Sequence, residues 1–420
     1  MAHYSDGNVE TKYLDPKSFI DGQRAVFELP SHHMAILPNL RLLNVGVASA
    51  NAGRLYNRLI GVDSLIKNIR LLDGRTELSK SRNYQLWKGF VNQNVKNTQA
   101  ISKKSYKTLG QVGLMKNPVN ELLEFLPPML GTNTANSTTN SGDIDLRDAL
   151  PLLKNISHLP SDIFQNLKIE IEFSTVLTDQ ILNEENDTVN SQVIPTLAMD
   201  VIDNPKIVEG MRKNFNNVAW LEIEHDQVLF PQSTNNGAAG DQNIVQENNT
   251  QLDGFKNKRV NRMLMVKEDP TEANYRAVGG GTTIDGYGKY GSVGVRDEAL
   301  QVRLNGRNVL PRNGLVGDNE RLAMVADTYG DCFCYPGANN ASVNATEILT
   351  NGNRFNANLS YNAFHIADKV MNLQINHKRT GEQRGGQPQF STNALNVHFF
   401  AEVQKILLIG KGSYTVQYIQ

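Results

Sequence analysis

The chain has 420 residues, with 42 lysines and arginines against 43 aspartates and glutamates, a formal net charge of −1. That length suits two domains of roughly 200 residues better than one, and the balanced charge excludes a whole-molecule field that would draw the protein onto nucleic acid or an acidic membrane. Hydrophobic residues make up 40% and mean hydropathy is −0.40, which predicts a folded, soluble chain rather than a membrane-spanning one.

In chain order, the first twelve residues carry His3, Asp6, Asn8 and Glu10 where a secretory leader needs an apolar run, so synthesis in the cytoplasm is expected and residues 1–20 read as an N-terminal arm. Ala25, Phe27 and Leu29 alternate with Val26 and Glu28 before Pro30, the pattern of a half-buried strand. Leu40–Val47 and Ser64–Leu72 are further β-rich runs. The second stops at Asp73-Gly74, a hairpin signal whose tight turn asks for positive φ at both central residues. Ser81–Val91 places Tyr84, Trp87 and Val91 at helical spacing, and Asp145 stands where it would cap a helix running to Lys154. Ile169, Ile171 and Phe173 alternate with Glu170 and Glu172 along another strand. Asn204-Pro205, followed by Ile207, Val208 and Met211, predicts a capped helix with proline at its first position. It falls at the join between two expected domains, 21–212 and 213–420. Strands are predicted at Ala219–Glu224, Val260–Lys267, Ala299–Leu304, Val370–His377 and Val397–Ile409, and a helix at Asn319–Val325. Polar loops are expected at 131–142, 232–254 and 278–294. Short strands at regular intervals define an all-β sandwich or barrel. The run from Ile69 through Asp73-Gly74-Arg75 to Leu78 is echoed by Val302 through Asn305-Gly306-Arg307 to Leu310, at an offset near half the chain, as in a tandem duplication.

Motifs that would carry chemistry are absent or in the wrong setting. Gly286, Gly288 and Gly291 fit a dinucleotide fingerprint, but Gly279-Gly280-Gly281 precede them where a strand is required. His32-His33 would point to opposite sides of an extended chain. The carboxylate pairs Glu170/Glu172 and Glu222/Glu224 read as solvent-facing positions on strands. Cys332 and Cys334 are too few for a disulfide framework or a zinc site and read as plain thiols. No catalytic, cofactor-binding or metal-binding residue is assigned, no cofactor is expected, and the chain is not expected to be an enzyme. Between residues 64 and 116, eleven basic residues, among them Lys80, Lys88, Lys96, Lys103, Lys104 and Lys107, face only Asp73 and Glu77. That stretch reads as a solvated face, or as one that meets an anionic surface such as packaged DNA or an inner membrane.

The run Ile144-Asp-Leu-Arg-Asp-Ala-Leu-Pro151 through Leu159 to Phe173 resembles the first jelly roll of double-jelly-roll major capsid proteins of tailless icosahedral DNA viruses, the group of polinton-like viruses, virophages and adenovirus-type hexons. Ala299–Pro311 resembles the corresponding segment of their second roll, and Ala25–Pro30 their opening strand. The resemblance implies two tandem eight-stranded jelly-roll sandwiches and a homotrimer forming a pseudo-hexagonal capsomer in the virion capsid, with penton and minor capsid proteins as partners. Two other readings stand beside it: a single-jelly-roll vertex protein with an added domain, and a tandem β-sandwich that binds or acts on carbohydrate.

Overall fold

The computed structural model describes residues 9–31, 33–49, 55–56, 60–93, 114–116, 123–125, 139–174, 181–182, 189–232, 245–270, 291–295, 298–311, 314–316, 318–330, 360–380, 393–410 and 413–419. The principal strands of the first half are β1 (Glu10–Leu14), β2 (Arg24–Glu28), β3 (Arg41–Ser49), β4 (Ile66–Asp73), β5 (Thr76–Ser81), β6 (Thr139–Asp145), β7 (Leu167–Phe173) and β8 (Thr196–Ile202). Those of the second half are β9 (Val218–Phe230), β10 (Val245–Gln251), β11 (Arg259–Glu268), β12 (Ala299–Leu304), β13 (Arg307–Asn308), β14 (Asn362–Lys369), β15 (Leu373–Thr380) and β16 (Leu395–Ile409), followed by β17 (Tyr414–Tyr418). The helices used below are α1 (Tyr84–Gln93), α2 (Pro205–Lys213) and α3 (Asp318–Tyr329).

Among the described residues every strand pair is antiparallel. In the first half the sheets run β1–β8–β3–β6 and β2–β7–β4–β5. In the second they run β9–β16–β11–β14 and β10–β15–β12–β13. Adding eight to each label of the first pair gives the second, so the echo between the hairpins extends to these four-strand paths; the first half adds short strands at Ser18–Ile20, Ala35–Ile36, Leu159–Pro160 and Val189–Gln192, and the second at Leu315–Val316 and β17. The paths are those of curled sheets packed as jelly-roll sandwiches.

Each half encloses its own core. Phe27, Ile69 and Ile171 from one sheet meet Leu42, Val45 and Met199 from the other in the first half, and Val302 and Ile375 meet Met265, Val397 and Phe399 in the second. The period-2 alternation causes this: Leu167, Ile169, Ile171 and Phe173 are buried, while Glu172 between them is exposed. Each such side chain contributes about 1.5–3 kcal/mol on full burial.

Several local expectations are corrected. Residues 10–14, placed in an arm from sequence, form β1 and pair with Leu197–Val201. Ala25–Pro30 is therefore preceded by another strand of its own sandwich. Asp145 ends β6 instead of opening a helix; its carboxylate accepts from the Arg147 backbone N–H at 3.0 Å and holds the Arg147 guanidinium. The helix that follows is only Leu152–Asn155, begun at Pro151. Ser81 still belongs to β5, and α1 starts after Asn83, whose φ of 47° turns the chain. The Asp73-Gly74 hairpin places Gly74 and Arg75 between the paired Asp73 and Thr76, and only Gly74 has positive φ. In the second hairpin both Asn305 and Gly306 are left-handed, at 51° and 83°, the arrangement the tight turn requires. The loops expected at 131–142 and 232–254 contain parts of β6 and all of β10. The helix predicted at 204–213 forms as read: the Asn204 side chain accepts from the Lys206 N–H at 3.2 Å, and Val208 and Met211 pack on Ala35 and Ile202.

Gly314 has φ +74°, and a Cβ there would strike the Leu300 carbonyl. Gly314→Ala is expected to destabilise the second half by roughly 2 kcal/mol or more, read as a lowered urea midpoint; an unchanged midpoint would mean this turn is free to relax.

Candidate functional site: the junction between the halves

The strands β9 and β16 form a ladder of thirteen consecutive pairs, from Val218 opposite Leu407 to Phe230 opposite Leu395. Directly opposite residues share a face, so one face of this two-stranded ribbon can be followed from end to end. At one end Val218, Trp220, Leu407 and Ile409 pack into the core of the first half. At the other, Phe230, Leu395, Val397 and Phe399 belong to the core of the second.

Between these ends the same face carries charge. Glu222 is fully buried and Glu224 nearly so. Glu222 accepts from Ser79 Oγ and Trp220 Nε1 at 3.0 Å each and from the Lys80 backbone N–H at 3.3 Å, with Lys405 Nζ at 3.5 Å. Ser79 and Lys80 come from β5 of the first half, so this carboxylate is shared by the two halves. Glu224 accepts from Tyr418 Oη at 2.5 Å and lies 3.5 Å from both Lys80 and Lys258. Lys258 and Lys405 sit over the Tyr418 ring at 4.7 and 4.9 Å. Burial pushes Glu222 above the usual carboxylate range against the pull of Lys405. Burial also acts to raise Glu224, but Lys80, Lys258 and the Tyr418 hydroxyl outweigh it and hold the group below that range. One strand later, Tyr414 donates to Asp73 Oδ2 of the first hairpin at 2.7 Å.

The opposite face of the ribbon receives α1. Leu86 and Phe90 pack with Ile223, Leu264, Val266 and Phe400, joined by Val325 of α3. Phe90 meets Tyr329 and Tyr361 edge-on at 4.8 and 5.1 Å. The helix is tied to its own half by Tyr84, which donates to Asp63 at 3.0 Å, and by buried Lys88, 2.8 Å from Asp148 and 3.7 Å from Asp63. Burial would depress Lys88, but the two aspartates keep it raised. Beside α1, His225 Nε2 lies 3.1 Å from the Asn83 amide and 3.0 Å from His398 Nδ1, and His398 Nε2 lies 3.0 Å from Glu268. Burial, then the neighbouring His398 and Arg82, lower His225 to about 3.

A separate buried centre anchors α3 within the second half. Glu298 is met by Lys267 at 2.5 Å, His377 at 2.8 Å and the Asn362 amide at 2.9 Å, and by Arg321 of α3. Burial, with Lys267 next in effect, holds His377 well below its ordinary value.

These arrangements join elements: the carboxylates of Glu222, Glu224 and Glu298 are each met by cations and hydrogen-bond donors from several strands. Among the described residues no group of three or more His, Cys, Asp or Glu could hold a metal ion. The sequence reading of Glu170 and Glu172 agrees with their outward positions, where Arg70 meets Glu170 at 2.5 Å and Asn68 donates to Glu172 at 2.6 Å. Glu222 and Glu224 are a correction, because that face of β9 is covered by β5, Lys258 and β17. The basic stretch is corrected in part: Lys80 and Lys88 are buried in ion pairs, and Arg70 is paired on the surface. Lys96, Lys103, Lys104, Lys107, Cys332, Cys334, His32 and the Gly286–Gly288 motif lie outside the described residues.

No protein-family model matches this sequence, and no curated protein is similar to it. Solved structures are similar over the whole chain, and they define the fold as the double jelly roll of major capsid proteins. PBCV-1 VP54, fitted into a cryo-EM reconstruction of the virophage Sputnik, matches with TM-score 0.63 and 12% identity over 100% of this chain and 99% of that one. The Sputnik virophage structure matches with TM-score 0.60 and 11% identity over 100% and 90%, and the mavirus major capsid protein with TM-score 0.56 and 10% identity over 100% and 91%.

Glu222→Ala would leave Lys405 buried without its nearest carboxylate and strip the acceptor from Trp220 and Ser79. We expect a loss of about 3–5 kcal/mol in unfolding free energy, measured in urea; a loss below 1 kcal/mol would show that the belt does not hold the halves. A second expectation concerns acid. A histidine held below its ordinary 6.5 refuses a proton that the unfolded chain accepts, so stability falls as pH drops from about 6.5 towards about 3. His158 and His377 act in the same direction. His225→Gln should reduce the slope of stability between pH 6.5 and 5 by up to ~1.4 kcal/mol per pH unit, and an unaltered slope would contradict a neutral, buried His225.

Proposed function

We propose that this chain is the major capsid protein of a tailless icosahedral DNA virus. The observation that carries the reading is the full-length structural match: this chain is covered completely and spans 99% of a chain of the PBCV-1 virus capsid and 91% of the mavirus major capsid protein. In this reading the halves are tandem eight-stranded jelly rolls that divide between residues 212 and 213, the first taking in β1 so that residues 10–14 belong to the roll and not to an arm. Three copies form a pseudo-hexagonal capsomer, because two like domains per chain around a threefold axis present six like edges to their neighbours. Its partners are further copies, penton and minor capsid proteins, and its place is the virion shell after synthesis in the host cytoplasm. Contact with packaged DNA or an inner membrane falls to basic residues of 64–116 other than Lys80 and Lys88. A vertex protein with an appended domain is disfavoured, since an appended domain has no reason to repeat the strand path of the first. The reading does not require catalysis.

Light scattering on the purified chain is expected to give about 140 kDa, three times the 46.7 kDa subunit, with six-lobed outlines in negative stain. A pentamer would move the assignment to a vertex protein, and a stable monomer at assembly concentrations would count against the capsomer.

A further inference from the structure

The sheet β10–β15–β12–β13 turns one face to the second core and the other outward. On the outward face the strand register aligns side chains in rows: Asn249, Asn376 and Gln301 are opposite one another, and so are Gln251, Gln374 and Arg303. These rows line a groove of about 640 Å³. With strands ~4.8 Å apart and successive outward residues ~6.8 Å apart, they make a grid of amides, in which Gln301 donates to the Pro311 carbonyl and accepts from the Val302 N–H and Gln251 donates to Asp253. The Asn376 amide donates to Asn249 Oδ1 at 2.5 Å and to Glu247, so the row through Asn376 is oriented in advance.

The equivalent sheet of the first half is built differently. Its outward charges close on one another, Arg70 with Glu170 and Lys17 with Glu28, both at 2.5 Å. Charge pairs keep an outward face solvated. Amide rows have a distinct capacity, since they satisfy neutral hydroxyls without desolvating an ion. At the groove, Lys378 is held by Glu247 at 3.3 Å, whereas exposed Arg303 makes no ion pair among the described residues. Its planar fork is matched to a carboxylate.

We propose that this groove binds a carboxylate-bearing oligosaccharide, with sugar hydroxyls on the amide rows and a carboxylate on Arg303. The inference goes beyond the shell role and does not depend on it. The test is calorimetric titration of the full-length protein with trigalacturonate and with the same trisaccharide after reduction of its carboxylates to alcohols. Saturable binding of trigalacturonate is expected, weakened about tenfold by carboxylate reduction and about tenfold by Arg303→Gln. Asn376→Ala should weaken both sugars, and Arg70→Gln on the other sheet should change neither. The proposal is overturned if no saturable binding occurs up to about 10 mM sugar, if Arg303→Gln binds as the unaltered protein does, or if Arg70→Gln is the damaging change. Native mass read on the same samples separates this result from the capsomer: lost binding with assembly intact counts against the groove alone.

Discussion

The architecture depends on one antiparallel ribbon, β9 with β16, whose thirteen pairs run without interruption past both cores. Because one face of the ribbon is apolar at each end and charged in the middle, it cannot slide. A shift of one residue would turn Glu222 and Glu224 to the opposite face and bring Ile223 into the ring of lysines. The belt is costly to form, at several kcal/mol of desolvation per ion, and that cost is offset only while Ser79 and Lys80 of the first half and Lys405 and Tyr418 of the second are all in place. It therefore acts as a register mark between the halves.

The duplicated sheet path is used unequally. Both α1 and α3 follow the hairpin of their own half, yet α1 crosses to pack on the ribbon of the second half, while α3 is fixed within its own half by Arg321 on Glu298. The two hairpin-bearing sheets likewise share strand order and differ in surface chemistry, with the ion pairs Arg70–Glu170 and Lys17–Glu28 on one and, beside the Lys378–Glu247 pair, rows of amides on the other. The repeated strand path supplies the frame, and the differing side chains decide which faces are joined within the chain and which are left outward.

Much of the frame was legible in sequence because alternation is local. Ile169, Ile171 and Phe173 announced β7, and Asn204-Pro205 announced α2. The Asx-Gly-Arg echo marked equivalent hairpins, although only the Asn305-Gly306 turn takes positive φ at both positions. What alternation cannot tell is which side of a strand meets solvent when both sides are covered. Ala219–Glu224 was recognised as a strand, but its glutamates were placed outward, since nothing near residue 222 in the chain signals that Ser79, Lys405 and Tyr418 converge there. The strand β1 was missed for a similar reason: Glu10–Leu14 is mostly polar, and its place is fixed by pairing with Leu197–Val201 far along the chain. Lys80 and Lys88 looked like members of a basic surface because Glu224, Asp63 and Asp148 lie outside the local charge count, which held only Asp73 and Glu77, the latter 2.8 Å from Lys80.

If the ribbon and its charged belt make one body of two sandwiches, the halves must unfold together. Differential scanning calorimetry of the full-length protein tests this most directly. The account predicts a single transition, with calorimetric and van't Hoff enthalpies per cooperative unit in agreement. Two resolved transitions, one for each sandwich, with the first leaving the other half folded, would contradict it.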